Sequence, residues 1–169
     1  MATTTRIPVE LYLRSSEWEP DAEYVDGEIE ERPVGEYDHA DWQQAILRWF
    51  SGNAKQWNIR VIPEVRVQTS ASNYRVPDVS VLSRSNPIEQ IITTPPIAVF
   101  EVLSPSDTIT KMLRKLSDYS SMGIPQIWIV DPATGNFFRY AEGSVVVQTH
   151  FRGDGIEFQF SAVAELLQG

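Results

Sequence analysis

Ile97-Ala98-Val99-Phe100-Glu101-Val102-Leu103 is an apolar run broken only by one carboxylate. Near-continuous runs of this kind mark strands covered on both faces, at the centre of a sheet. A carboxylate in such a strand is costly to bury unless it is paired or binds a metal, so Glu101 requires a partner. Upstream, Arg75-Val76-Pro77-Asp78-Val79-Ser80-Val81-Leu82 sets a second carboxylate, Asp78, at the mouth of another strand. Downstream, Ser104-Pro105-Ser106-Asp107 opens a helix that carries Lys115. Ile109, Met112, Leu113, Leu116 and Tyr119 form its apolar stripe, and Gly123 stands where a helix stops. Gln126 to Asp131 then reads as a further buried strand, closed by Pro132. Strand, helix and strand over 97–131 predict a right-handed crossover joining two parallel strands.

The remaining segments build outward from this unit. Pro8 to Arg14 reads as a short helix with proline in its first turn. Ala22 to Arg32 alternates around Asp26-Gly27 and predicts a β-hairpin, followed by a loop through Gly35. A helix is expected from Asp38 or His39 to about Trp57, with Trp42, Ala45, Ile46, Trp49 and Phe50 at helical spacing. Ile59 to Gln68 reads as one strand. Asn136–Tyr140, Ser144–Phe151 and Ile156–Phe160 form a strand meander, and Ser161 to Leu167 a terminal helix. The expected fold is α/β: a mixed sheet flanked by helices, with an N-terminal hairpin and a C-terminal meander, in a single domain over residues 1–169.

Composition excludes several classes of function. The 169 residues, 42% hydrophobic, suffice for one core. There is no run long enough to span a membrane, and Met1 to Arg14 lacks the pattern of a secretory signal. Cysteine is absent, which fits a cytoplasmic location, and only His39 and His150 offer imidazole, which argues against a zinc centre. Glycine-rich phosphate loops and serine-hydrolase elbows are missing. The net charge of −9 (14 basic against 23 acidic residues) opposes tight non-specific binding to DNA unless basic residues gather on one face or a metal offsets the acidity.

A chain-long set of motifs resembles the Uma-two family of restriction-endonuclease-like proteins, within the PD-(D/E)XK superfamily. The matching pieces are Tyr24-Val25-Asp26-Gly27-Glu28-Ile29, His39 before a helix, and Arg75-Val76-Pro77-Asp78-Val79. Phe100-Glu101-Val102-Leu103-Ser104-Pro105-Ser106, Lys115 with Tyr119, and Gly123-Ile124-Pro125-Gln126-Ile127-Trp128-Ile129-Val130-Asp131-Pro132 follow in order. The resemblance implies a nuclease-like core, Mg²⁺ or Mn²⁺ held by Asp78 and Glu101 with the Val102 carbonyl as a further ligand, DNA as substrate, and a homodimer. The superfamily pattern sets lysine two residues after the second acid, where this chain has Leu103, so Lys115 on the following helix takes the lysine role. Lys111 stands where many members have an acidic residue.

Asp78, Glu101 and Lys115 are therefore the expected catalytic residues. Four accessory candidates surround them. Lys111 substitutes for Lys115 or contacts phosphate. Glu64 is a third carboxylate or an ordinary exposed strand residue. Glu28 reaches the metal or holds the hairpin, and His39 orients water or phosphate or packs the helix start. Ser104 and Ser106 are expected to cap the Lys115 helix. Two rival readings remain: a catalytically silent nuclease-fold module that binds nucleic acid or protein, and an inert subunit in which Glu101 only pairs with Lys115.

Overall fold

A computed structural model describes residues 5–15, 22–32 and 35–169. Its centre is a six-stranded sheet. β1 (Glu23–Val25) and β2 (Glu28–Glu30) form the expected hairpin, with Asp26 and Gly27 both at positive φ in the turn. They join β5 (Asn73–Arg75) and β4 (Val67–Ser70) in a second sheet of order β2-β1-β5-β4. The larger sheet contains β3 (Ile59–Pro63), β6 (Val79–Ser83), β7 (Ala98–Val102), β8 (Gln126–Asp131), β9 (Asn136–Ala141) and β10 (Ser144–Gln148). Its order is β10-β9-β8-β7-β6-β3, and β7 with β8 is its parallel pair, as the crossover requires. β11 (His150–Gly153) and β12 (Ile156–Gln159) make a separate ribbon.

Helices cover both faces of the central sheet. On one, α2 (Tyr37–Gly52) lays Trp42, Ala45, Ile46 and Phe50 against Ala98, Phe100, Val102, Trp128 and Val130, with ribbon residues Phe151 and Phe158 closing the layer. On the other, α4 (Ile109–Met122) packs Met112, Leu116 and Tyr119 against Val99, Ile127 and Ile129. The short α1 (Val9–Arg14) brings Tyr12 to Tyr24 and Tyr74 of the small sheet, where Tyr12 stacks on Tyr24 and Tyr74 meets the pair at an angle, in a cluster of their own.

Several elements differ from expectation, each for a local reason. The helix expected as one piece to Trp57 divides into α2 and α3 (Ala54–Trp57). At the junction the Asn53 side chain donates to the Trp49 carbonyl at 2.8 Å, taking the acceptor that a continuing helix would use. The strand expected over 59–68 divides into β3 and β4 in different sheets, because Glu64 between them is left-handed at φ 50°. β5 went unforeseen, having too few residues to show a period. The run over 144–151 divides into β10 and β11, and α5 is limited to Ser161–Ala164. Thr108, rather than Ser104 or Ser106, caps α4: its hydroxyl accepts from the Lys111 N–H at 3.3 Å. Gly123 ends that helix at φ 96°. Residues 33 and 34 of the loop expected before Gly35, and the first four residues of the N-terminal stretch, lie outside the described residues. No described helix is long and apolar enough to cross a membrane.

Candidate active site

Strand alternation decides which way Glu101 faces. In β7, Ala98, Phe100 and Val102 enter the α2 layer, so Val99 and Glu101 face α4. There the Tyr119 hydroxyl donates to Glu101 Oε1 at 2.7 Å, and Lys115 Nζ lies 3.7 Å from Oε2. Tyr119 and Lys115 are four residues apart and share one face of the helix. Glu101 is 3% exposed.

Asp78, just before β6, is equally buried and fully engaged. Its Oδ2 accepts the Val102 backbone N–H at 2.7 Å and lies 3.3 Å from His39 Nε2, while Oδ1 takes a charged hydrogen bond from Arg32. His39 in the first turn of α2 is followed one turn later by Gln43, whose amide donates to the Asp78 carbonyl at 2.9 Å. The start of α2 is thus pinned to the start of β6. Arg32 also reaches Glu64 at 3.4 Å.

A third carboxylate joins the site from the hairpin. Glu23 Oε1 lies 3.3 Å from Lys115 Nζ and 3.3 Å from Arg75 Nη1, and its Oε2 accepts the Val76 N–H at 2.7 Å. Arg75 in turn binds Asp118 at 2.7 Å and Glu30 at 3.2 Å. Three buried acids (Glu23, Asp78, Glu101) are interleaved with three cations (Arg32, Arg75, Lys115), as buried charge demands. Sequence reading missed Glu23, Arg32, Arg75 and Asp118. Glu23 carried one usable signal, since it sits between Ala22 and Tyr24-Val25 in a strand with no polar face.

This setting moves the titrations apart. Burial pushes the Glu101 carboxyl up to about 7, with the Asp78 charge adding to it and Lys115 opposing. Burial would also raise Asp78, but the hydrogen bond from His39, the Arg32 charge and the Val102 N–H outweigh it and hold it below the ordinary value. Lys115 and His39 both titrate above their ordinary values: burial opposes their charged forms, but Glu101 and Glu23 in one case and Asp78 in the other prevail. Burial and Glu101 keep the Tyr119 phenol protonated far above its usual range, so it remains a donor.

Among the expected residues, the structure brings together Asp78, Glu101, Val102, Lys115 and His39. Glu64 is attached through Arg32, but its side chain is 46% exposed. Glu28 and Lys111 stand with Lys115 around a cleft of about 420 Å³ between the hairpin and the start of α4. The same cleft gathers Arg32 and Arg114, so four basic side chains stand among five acidic ones, Glu23, Glu28, Glu30, Glu31 and Asp107. On the other side His39 borders a cleft of about 310 Å³ with Ser104 and Asp131. The buried charges therefore lie between two openings to solvent.

The donor chemistry suits a hard cation. Asp78 and Glu101 supply carboxylate oxygens, and the strand that bonds Asp78 at the Val102 N–H also carries the Val102 carbonyl. No group of three His, Cys, Asp or Glu side chains is gathered for a metal among the described residues; a cation here would have Asp78, Glu101 and backbone as donors and would displace Arg32 from Asp78.

The family described as "Putative restriction endonuclease", Uma2, matches residues 9–159. A solved structure described as a putative nuclease belonging to DUF820, from Anabaena variabilis, superposes with a TM-score of 0.80 at 22% identity, covering 95% of this chain and 98% of the other. That likeness establishes the fold. A DrdV–DNA complex aligns at 19% identity and a TM-score of 0.43, over 75% of this chain and 11% of that one. No curated protein sequence matches. With nearly the whole chain matched and the mixed sheet in common with the Anabaena protein, the chain belongs to the Uma2 family.

Proposed function

We propose that the protein is a Mg²⁺- or Mn²⁺-dependent endonuclease that hydrolyses DNA phosphodiester bonds in the cytoplasm. One observation carries this reading: Asp78 and Glu101 are joined through the Val102 amide, with Lys115 beside Glu101 and a cleft of mixed charge alongside. Asp78, Glu101 and the Val102 carbonyl would hold the cation. When bound, it polarises the scissile phosphate and lowers the pKa of a water ligand. Lys115 stabilises the negative charge that develops on the phosphoryl oxygens, a task for which a preorganised buried ammonium is suited. His39 fixes Asp78 from the α2 side. Lys111 and Arg114, which line the cleft, would meet the flanking phosphates.

The test is cleavage of supercoiled plasmid and of single-stranded DNA with Mg²⁺ or Mn²⁺ by wild type, Asp78→Asn and Glu101→Gln. Metal-dependent cleavage that both variants lose supports the reading. Cleavage that both variants retain overturns the site.

One observation favours a second reading, a catalytically silent nuclease-fold module binding nucleic acid or protein. The Arg32 guanidinium already neutralises Asp78, so the carboxylates need no metal to be buried. Calorimetry with Mn²⁺ separates the two: the silent module takes up no cation.

A further inference from the structure

We propose that Arg32 is a substrate-contacting residue that makes the cation site answer to DNA: it covers Asp78 until a backbone phosphate draws its guanidinium into the cleft. The inference rests on the nuclease reading above and adds to it the group that decides when Asp78 is available. Only one oxygen of Asp78 is open to competition. Oδ2 accepts the Val102 N–H at 2.7 Å and lies 3.3 Å from His39 Nε2, donors fixed by β7 and α2. Oδ1 takes its hydrogen bond from Arg32 Nη2. A cation that uses Asp78 must therefore meet Oδ1, where the guanidinium excludes it by occupancy and by like charge.

The geometry also lets Arg32 leave. Its terminal nitrogens are divided, Nη2 on Asp78 and Nη1 3.4 Å from Glu64 Oε1. Neither acid therefore holds it by the two parallel bonds that make a guanidinium–carboxylate pair strong. The Glu64 side chain is nearly half exposed, which weakens its share. Arg32 stands two positions beyond Glu30, the last β2 residue in register with β1, and its side chain lines the cleft that also holds Lys111, Arg114 and Lys115. Turning from Asp78 into that cleft asks for a new rotamer rather than a moved strand.

The chemistry of the cleft selects phosphate as the acceptor. Glu28, Glu30 and Glu31 line it, yet Arg32 stays on Asp78, so the protein's own acids do not draw it away. A phosphodiester offers two non-bridging oxygens that match the planar guanidinium fork. A phosphate seated in the cleft thus frees Asp78 Oδ1, and a filled cation site turns Arg32 toward phosphate. By linkage the two effects are equal in size.

Arg32→Gln tests this by two binding measurements: calorimetry with Mn²⁺ in the absence of DNA, and fluorescence anisotropy of a labelled DNA duplex in the absence of metal. Mn²⁺ should bind the variant about tenfold more tightly than wild type, a usual size for coupling between sites. The duplex should bind it more weakly, with a salt dependence shallower by about one ion, the signature of a lost phosphate contact. Should Arg32→Gln not fold, Arg32→Lys keeps Asp78 paired with a charge and should show both shifts to a smaller degree. Tighter Mn²⁺ binding with unchanged duplex binding would make Arg32 a mere plug and overturns the proposal. Equal or weaker Mn²⁺ binding by the variant overturns it too, while leaving the cation site standing. Cation uptake by neither protein removes the nuclease reading itself, and this inference with it.

Discussion

The Val102 backbone N–H donates to the Asp78 carboxylate at 2.7 Å, so the strand carrying one acid holds the other in place. Val102 follows Glu101 directly, and β6 and β7 are hydrogen-bonded neighbours. The two acids are therefore fixed by sheet geometry rather than by loops, the arrangement that best preserves a site.

Replacing Asp78 separates geometry from charge. Asp78→Ala leaves the Arg32 guanidinium and the Val102 N–H buried without their acceptor and should cost about 3–5 kcal/mol. Asp78→Asn keeps an acceptor oxygen for Val102 and should cost about 1–3 kcal/mol. Urea denaturation of the two variants checks the order. Both should lose cleavage, so a stable but inactive Asp78→Asn identifies the charge as the functional part.

Lys115 is shared by two acids, and that sharing predicts how its variants behave. Lys115→Met leaves Glu23 and Glu101 without the cation between them. DNA cleavage should fall by about 10²–10³-fold, the usual effect of losing one charge-stabilising donor. Lys115→Arg retains charge but not the compact ammonium, and should recover only part of the rate. Single-turnover nicking with saturating metal distinguishes these values from a defect in binding.

The unit over 97–131 was legible because both strands are apolar nearly throughout and Gly123 ends the helix between them. Glu101 was legible for the same reason: a charged residue inside a two-faced buried strand has no ordinary role. The rest was lost where long-range contacts decide. Arg75 looks like a strand-end cation, and nothing nearby in sequence announces that Glu23, Glu30 and Asp118 converge on it. Arg32 closes the expected hairpin and reads as an ordinary strand-end cation, yet it neutralises Asp78 across the fold. The α2–α3 break turned on one side-chain hydrogen bond from Asn53, which competes with helix continuation but has no periodic signature.

Stability should fall as pH rises from about 5 to 8, and Glu101 sets the direction. Its folded value of about 7 stands above the ordinary 4.5, so the unfolded chain releases the proton first and folding is penalised increasingly from about pH 4.5 to 7. His39, raised above 6.5, acts in the same sense: its contribution is complete below that value and is lost as pH climbs through the folded pKa. Asp78 acts oppositely and only in acid, where stability disappears as pH falls below 3.8 through its depressed value. Denaturation midpoints between pH 5 and 8 should drop for wild type and flatten in Glu101→Gln, by an amount on the order of 1–3 kcal/mol.

Arg75 is the residue whose loss should damage the fold most, although it lies outside the proposed chemistry. Its guanidinium is 1% exposed and ties the hairpin acids Glu23 and Glu30 to Asp118 on α4, so it couples the small sheet to the helix that carries Lys115. Arg75→Met leaves Glu23 buried with only the Val76 N–H and Lys115, and should destabilise by about 3–5 kcal/mol. Arg75→Lys should recover little, because a single ammonium cannot span three carboxylates that the planar guanidinium reaches with separate nitrogens. Adding Glu23→Gln to Arg75→Met removes the stranded charge and should restore part of the loss, a coupling of at least 1 kcal/mol in a double-mutant cycle. Strict additivity of the two substitutions would show that Arg75 is held by packing and not by its acids.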